Sequence, residues 1–173
     1  MTEAKPNNYA FIDSQNLNLG VRSLGWHVDY QKFRLYLTNK YHVTRAFMFL
    51  GKMAGNEVLY ARLEQAGFDL VFKPTVHYYE NGKRTAKGNV DAELVLYAAA
   101  IEYTNYDQAV IVSGDGDFAC LMEFLIGRHK LLRLLAPNKR YSSLLKSYFR
   151  YISLVSNLED KIKRTGISGR SKP

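Results

Sequence analysis

The sequence predicts an α/β protein with a central, mostly parallel sheet and helices on both of its faces. Two observations carry this prediction. Short apolar runs alternate along the chain with longer segments of helical period, which is the order typical of parallel strands joined by crossover helices. Several of the apolar runs are followed at once by a carboxylate or a proline, which marks the end of a strand.

The first part of the chain contains three predicted strands and two predicted helices. The strands are residues 9–13, 43–50 and 68–73, and the helices are residues 29–41 and 56–66. Aromatic and β-branched residues favour the second strand. Gly67 is expected to end the second helix, and Pro74 to stop the third strand.

A polar segment, residues 75–89, then separates the third strand from the next helix. Its Asn81-Gly82 pair is a turn signal and predicts a hairpin or flap. Residues 90–103 are predicted to be helical, because apolar residues recur there at helical spacing, and Asn89 is the expected N-cap.

The rest of the chain repeats the alternation. We predict strands at residues 108–113, 130–136 and 151–155, and helices at 118–126 and 142–149, with Pro137 stopping the second of these strands. We expect one domain over residues 1–160, because a chain of 173 residues is the size of one domain. Residues 161–173 have too little apolar content to fold alone and are predicted to be a flexible basic tail.

Composition excludes several classes of protein. No apolar run approaches the roughly 20 residues that span a bilayer, and the N-terminal residues lack the apolar stretch of a signal peptide. A single cysteine, Cys120, rules out an internal disulfide framework and is predicted to be a buried thiol. We therefore expect a cytoplasmic protein without a membrane partner.

The positive charge is concentrated in the last third of the chain. Residues 1–120 carry 12 Lys and Arg against 13 Asp and Glu, a net charge of −1, whereas residues 121–173 carry 12 against 3, a net charge of +9. A basic segment of this kind favours a polyanionic partner such as nucleic acid. A solvated basic tail that aids solubility is the alternative.

Asp115 and Asp117 form the most informative acidic pair, since both follow the apolar run Ala109–Val112 within Ser-Gly-Asp-Gly-Asp. Helix capping would need only one aspartate. A second nearby carboxylate adds repulsion, which a hard divalent cation such as Mg²⁺ or Mn²⁺ would offset. The pattern favours a metal or phosphate role over capping alone.

Asp13 and Asp91 extend the acidic set. Asp13 ends the first strand, where it either joins a metal pocket or holds an Asx-turn over Ser14-Gln15-Asn16. Asp91 opens the helix that follows the Lys87-Gly88 loop, and alone it would be only a favourable first-turn acid. Asn16 and Ser113 are candidate polar companions. Because the carboxyl ends of parallel strands share one edge of the sheet, we expect these side chains to converge there.

Other catalytic arrangements are not indicated. The four histidines lack metal-ligand spacing, which argues against zinc. The chain contains neither a Gly-x-Ser-x-Gly elbow nor a P-loop.

Basic residues beside tyrosines are candidates for nucleic-acid contacts, because aromatic rings stack on bases while cations hold phosphates. Tyr78 and Tyr79 lie near one such group, and Tyr141 and Tyr148 near the other; an ordinary amphipathic surface is equally compatible with either. The candidate basic residues are Lys83, Arg84, Lys87, Arg140, Lys146 and Arg150.

Three motifs in this order and spacing resemble the NYN domain family, the LabA-like branch of the PIN-like nuclease superfamily. They are Phe11-Ile-Asp-Ser-Gln-Asn16, Lys87-Gly-Asn-Val-Asp91 and Val112-Ser-Gly-Asp-Gly-Asp-Phe118. The resemblance covers about residues 8–155. It implies a Rossmann-like three-layer α/β/α sandwich, with Asp13, Asp91, Asp115 and Asp117 as its acidic metal set. Gly116 stands where the family often has a serine.

The expected function is metal-dependent ribonuclease activity, with Mg²⁺ or Mn²⁺ as cofactor and RNA, more readily single-stranded, as substrate. In this scheme Asp13, Asp115 and Asp117 hold the metal, with Asp91 at the edge. A non-catalytic RNA- or protein-binding module that keeps a structural metal is the alternative, and a homodimer is left open. A phosphoacceptor receiver fits poorly because it needs an aspartate where this chain has Phe72-Lys-Pro. A haloacid-dehalogenase-like phosphatase fits poorly because it needs Asp-x-Asp where this chain has Asp13-Ser-Gln.

Overall fold

A computed structural model describes residues 5–74, 76–80, 83–87 and 90–166, with backbone only between residues 74 and 89. Its strands are β1 (Asn8–Asp13), β2 (Val43–Lys52), β3 (Asp69–Pro74), β4 (Val76–Glu80), β5 (Lys83–Lys87), β6 (Ala109–Val112), β7 (Leu131–Ala136) and β8 (Ile152–Leu154). Six of them form one sheet in the order β3-β2-β1-β6-β7-β8, and every neighbouring pair in it is parallel. The predicted parallel α/β architecture is confirmed.

The helices are α1 (Ser14–Arg22), α2 (Tyr30–Tyr41), α3 (Glu57–Gln65), α4 (Asp91–Leu96), α5 (Ala119–Gly127) and α6 (Glu159–Ile162). A π-helical turn, Tyr97–Ile101, extends α4, so the helix predicted at 90–103 is present with a widened last turn. The segments Gly116–Phe118, Ser143–Tyr151 and Val155–Leu158 are 3₁₀-helical.

The sheet separates two hydrophobic cores, which makes the fold a three-layer sandwich. Alternate residues of β1 point to opposite faces: Phe11 joins one core and Ile12 the other. On one face Phe11 stacks on Phe47, with ring centroids 5.6 Å apart. On the other, Phe33 of α2 is fully buried. Each such side chain stabilises the fold by roughly 1.5–3 kcal/mol on burial.

The strand order creates a topological switch point between β1 and β6. From β1 the chain builds outward through β2 and β3 on one side, and β6, β7 and β8 then extend the sheet on the other. Ile12 pairs in register with Val112, so the next residues, Asp13 and Ser113, lie side by side at the carboxyl edge of the sheet. In open α/β sheets this crevice is where ligands bind.

The hairpin predicted in the polar segment is present as β4 and β5, which pair antiparallel from Val76–Lys87 to Glu80–Lys83. Its turn residues, Asn81 and Gly82, lie outside the described part of the chain. So does Asn89, the expected N-cap of α4. Val90 precedes α4 instead and makes no side-chain capping hydrogen bond.

Two expectations need correction. Cys120 is exposed, because the buried face of α5 is formed by Leu121, Met122 and Leu125 and leaves its neighbour outside. Residues 161–164, which were predicted to belong to a flexible tail, are part of the fold, since Ile162 is fully buried and the Asp29 N–H donates to its carbonyl at 2.8 Å. The fold therefore continues to Arg164, whose N–H donates to the His27 carbonyl at 2.8 Å, and residues 167–173 lie outside the described range.

Among the described residues, no helix combines the length and the apolar character needed to cross a lipid bilayer.

Candidate metal centre and acidic cleft

Asp13 sits at the switch point as the N-cap of α1. One carboxylate oxygen, Oδ1, accepts from the Asn16 N–H at 3.1 Å, and the other, Oδ2, accepts from the Ser113 hydroxyl at 3.2 Å. The bond to the Asn16 N–H, three residues on, makes Asp13 the N-cap of α1, whereas the alternative was an Asx-turn in a loop over residues 14–16. The Ser113 hydrogen bond ties the end of β1 to the end of β6, so one residue both caps the helix and lines the cleft.

The loop after β6 is held by further hydrogen bonds from the same neighbourhood. The Gly114 N–H donates to Asn16 Oδ1 at 2.8 Å, and the Asp115 N–H donates to Ser113 Oγ at 3.1 Å. Asn16 and Ser113 therefore fix the backbone that carries Asp115. Both were expected as polar companions of the acids, and the structure places both beside them.

Three carboxylates converge above this network. Oxygens of Asp91, Asp115 and Asp117 all lie within 4.8 Å of one another. Asp91 is the first residue of α4, and Asp115 caps the 3₁₀ turn by accepting from the Asp117 N–H at 3.0 Å. Asp115 thus performs capping and joins the acidic group as well.

The structure arranges the four predicted acids differently from the expectation. Asp91, expected at the edge, belongs to the close group, whereas Asp13 lines the same cleft outside that group and is buried. The pKa of Asp13 is raised to about 6, chiefly by burial and to a smaller extent by the charges of Asp91 and Asp115, against the lowering effect of its hydrogen bonds to Asn16 and Ser113. A nearby cation would stabilise the ionised form of a buried carboxyl that lies beside other carboxylates.

The donor set fits a hard divalent ion. The close group offers carboxylate oxygens alone, without histidine or cysteine, and these are the ligands that Mg²⁺ and Mn²⁺ prefer. Asp117 is exposed and Asp91 and Asp115 are partly exposed, so the group opens to solvent and to a substrate.

The acids line a cleft of about 630 Å³, the acidic cleft. Its lining also includes Leu19, Gly20 and Ser23 of α1 and residues of the segment that follows β7. That segment contributes Arg140 and Tyr141. Carboxylates, a guanidinium and an aromatic ring thus line one space, which is large enough for part of a nucleic-acid strand.

The predicted basic residues do not all reach this cleft. Arg140 lines it, whereas Lys146 and Arg150 are exposed on the 3₁₀ segment Ser143–Tyr151 and do not. The side chains of Lys83, Arg84 and Lys87 lie outside the described part. Tyr148 is a packing residue, partly buried, whose hydroxyl donates to the Ala119 carbonyl at 3.3 Å.

Sequence reasoning missed part of the lining of the acidic cleft. Asn138 follows the end of β7 and donates to the Gly20 carbonyl at 2.7 Å, which joins that segment to α1. The rule that found Asp13 and Asp115, a polar residue just past a strand end, would also have found Asn138.

Gly116 is required by close packing. A Cβ at this position would overlap Ser142 Oγ and would lie 3.0 Å from Leu144 Cδ1. The Ser142 hydroxyl therefore occupies the space that the side chain of a serine at position 116 would need. This contact accounts for the glycine in Ser-Gly-Asp-Gly-Asp.

Comparison with known proteins supports the assignment of the fold and the family. The family model described as the NYN domain matches residues 9–157. No curated protein matches significantly. Among solved structures, a protein of unknown function from Vibrio parahaemolyticus RIMD 2210633 superposes with a TM-score of 0.77 at 22% identity, over 95% of this chain and 99% of that one. At this identity the likeness shows the fold alone.

Proposed function

The chain belongs to the NYN domain family, a family of PIN-like nucleases, and from this premise we propose that it is a metal-dependent ribonuclease. The observation that carries the proposal is the group of three carboxylates, Asp91, Asp115 and Asp117, gathered within 4.8 Å beside the switch point of the sheet. Hydrolysis of a phosphodiester at such a site needs no side-chain nucleophile.

Asp91, Asp115 and Asp117 would hold Mg²⁺ or Mn²⁺. When bound, such an ion supplies an activated water and stabilises negative charge on a phosphoryl group. In the reaction water adds to phosphorus and the bond from phosphorus to the leaving ribose oxygen breaks. Arg140, which lines the same cleft, would contact the phosphate, and Tyr141 would pack against a base or ribose.

Asp13 acts as a positioning residue in this scheme. Its two carboxylate oxygens hold the Asn16 N–H and the Ser113 hydroxyl, and through them the backbone of Gly114 and Asp115. Preorganised ligands bind without a reorganisation cost when substrate arrives. Single-stranded RNA is the proposed substrate because one strand fits an open cleft of this size more readily than a duplex.

The test combines RNA cleavage with thermal melts of the double variant Asp115→Asn/Asp117→Asn. Asparagine retains shape and capping ability. In EDTA the variant should melt at the same temperature as the native protein or higher, because repulsion of about 1–3 kcal/mol is relieved. Mn²⁺ should raise the melting temperature of the native protein only. Cleavage of labelled single-stranded RNA in Mn²⁺ should fall about a hundredfold or more.

Glu123→Gln/Asp160→Asn is the matched control, since it removes two exposed carboxylates outside the acidic cleft. It should cleave and melt like the native protein. A double variant at Asp115 and Asp117 that kept the Mn²⁺-induced shift would contradict the metal assignment. A native protein that binds Mn²⁺ and RNA without cleavage in Mn²⁺ or Mg²⁺ would instead be a non-catalytic module.

A further inference from the structure

A second cleft, of about 500 Å³, opens on the other side of α1. It lies between α1, α3 and the N-terminal turn of α2, and we call it the α1/α3 cleft. The same helix serves both clefts: Gln15, Asn16 and Leu19 line the acidic cleft, whereas Ser14 and Asn18 line the α1/α3 cleft. The two spaces are therefore separated by one helix diameter, about 10 Å.

One wall of this cleft is apolar. Leu59 and Leu63 of α3 and its C-cap Ala66 recur at helical spacing, and Val28 and Tyr30 add to them. Tyr30 is partly buried and packs edge-on against Phe68, with ring centroids 6.2 Å apart. Burial raises the pKa of Tyr30, so its hydroxyl stays protonated as a hydrogen-bond donor. Such a wall fits a flat ring better than a free inorganic anion.

The rim is cationic. Arg62, Arg164 and His27 line the cleft and are exposed, and neither arginine side chain forms a hydrogen bond or an ion pair with another described residue. Among the described residues, Asp29 is the only carboxylate that lines the cleft, and it already accepts from the Lys32 N–H at 3.1 Å and lies 3.9 Å from Lys32 Nζ. Guanidiniums with available N–H donors are the groups that bind phosphate oxygens most readily.

Amide side chains complete the lining. Asn18, Gln31 and Gln65 each offer a donor and an acceptor, as the edge of a nucleobase does. The backbone of Arg164 is fixed by its hydrogen bond to the His27 carbonyl, and that of Lys163 by a bridge to Val28. The backbone that carries the Arg164 side chain is thus held against residues 27 and 28, which also line the cleft.

We propose that the α1/α3 cleft binds one nucleotide of the RNA strand, with the phosphate contacting Arg62 and Arg164 and the base lying against Tyr30 and Leu63. The inference rests on the proposed function, since the nucleotide belongs to the strand held in the acidic cleft. The strand would cross α1, so cleavage would occur at a fixed distance from the bound nucleotide. Longer RNA would then be bound more tightly than RNA that fills the acidic cleft alone.

The first test measures RNA binding without cleavage. A labelled single-stranded 12-mer is titrated in EDTA over a series of salt concentrations, against the native protein and Arg62→Gln/Arg164→Gln. Loss of both contacts with this phosphate should weaken binding about tenfold or more at low salt. It should also reduce the slope of log affinity against log salt by about 0.7, the value for one neutralised phosphate on a single strand. Arg128→Gln/Lys40→Gln, which removes two charges outside both clefts, should leave the slope nearly unchanged.

A second variant places a negative charge, which repels the RNA phosphates, inside the cleft without disturbing the core. Leu59 lines the cleft and is 43% exposed, whereas its neighbour Val58 does not line it and is 66% exposed. Leu59→Glu should weaken binding of the 12-mer about tenfold, and Val58→Glu should have little effect. The proposal would be overturned if Leu59→Glu and Val58→Glu weakened binding equally. It would also be overturned if Arg62→Gln/Arg164→Gln weakened binding no more than the control Arg128→Gln/Lys40→Gln.

The small ester bis(p-nitrophenyl) phosphate separates this proposal from the proposed function. Its Mn²⁺-dependent hydrolysis needs the acidic cleft alone, so Arg62→Gln/Arg164→Gln should retain it. If this variant lost ester hydrolysis together with RNA binding, the proposal that the α1/α3 cleft binds RNA independently of the acidic cleft would be overturned. A native protein that hydrolyses neither ester nor RNA, but whose RNA binding still depends on Arg62 and Arg164, would refute the nuclease and support the nucleotide site.

Discussion

Two residues at the switch point, Asp13 and Asp115, each cap a helical turn and also make a second contact in the acidic cleft. Asp13 caps α1 and fixes the Ser113 hydroxyl, and Asp115 caps the next 3₁₀ turn while one of its oxygens lies within 4.8 Å of Asp91 and Asp117. Capping satisfies backbone N–H groups that a helix start leaves open. The same geometry places these carboxylates at the carboxyl edge of the sheet, so one residue can both cap a helix and bind a ligand.

The buried carboxyl of Asp13 makes the stability of the metal-free protein depend on pH. Its pKa is about 6 in the folded chain against an ordinary value of 3.8, so the native state holds a proton that the unfolded state has released. Stability should therefore fall as pH rises from about 4 through 6, by roughly 2–3 kcal/mol at 1.36 kcal/mol for each unit. Urea unfolding in EDTA at pH 4.5 and 7.5 measures this change.

Asp13→Asn is the decisive comparison for that pH dependence. Asparagine keeps the acceptor for the Asn16 N–H but does not titrate, so the variant should lose much less stability over the same interval. Asp160→Asn, at an exposed position on α6, should behave like the native protein. The same pH dependence in the native protein and Asp13→Asn would show that another group is responsible.

Elements meet at the acidic cleft through unusually close contacts at glycine. Gly20 of α1 lies against Pro137, which follows β7, so closely that a Cβ would overlap the ring. Gly116 lies in the same way against Ser142. These contacts draw the loop after β6, the N-terminal helix and the segment after β7 around one cleft, and a side chain at either glycine would push them apart.

Gly116→Ala should destabilise the protein by about 1–3 kcal/mol, because the added methyl group overpacks the contact with Ser142 and Leu144. Gly127→Ala is the control, since a Cβ there meets nothing within 4 Å, and it should leave stability unchanged or slightly raised. Urea unfolding measures both. Adding Ser142→Gly to Gly116→Ala should recover part of the loss; no recovery would place the strain elsewhere.

At the scale of the whole molecule, the C-terminal segment belongs to the fold. Ile162 is fully buried in the core on the α2 face, and Lys163 bridges to Val28. Of the net charge of +9 in residues 121–173, +7 therefore lies within residues 121–166, on β7, on the segment Ser143–Tyr151 and on the segments that flank β7 and follow α6, and only Arg170 and Lys172 lie beyond residue 166.

Two truncations test this division. Ending the chain after Asp160 should cost about 2–5 kcal/mol, since the buried side chain of Ile162 is lost. Ending it after Gly166 should leave the melting temperature unchanged. The second truncation removes Arg170 and Lys172, so it should lower the salt slope of RNA binding by up to about 1.4 if both contact phosphate.

Thermal melts and RNA titrations over salt distinguish the outcomes. A stable chain ending at Asp160 would mean that Ile162 contributes little to the fold. An unchanged salt slope for the chain ending at Gly166 would show that the last seven residues aid solubility alone.

The sequence by itself determined the layered parallel fold and the edge at which Asp13, Asp91, Asp115 and Asp117 meet. These features depend on local patterns: apolar periodicity sets each strand and helix, and a residue just past a parallel strand must lie at the carboxyl edge. The three motifs fixed the family for the same reason, since each is a short run with its own spacing.

Only the tertiary structure decided which acids come within 4.8 Å of one another, that Cys120 faces outward, and that Ile162 is buried. It also formed the α1/α3 cleft from segments far apart in sequence, around residues 18, 30, 62 and 164. These outcomes depend on how helices pack across the sheet. Distances between side chains on different elements follow from that packing and leave no local pattern in the sequence to detect.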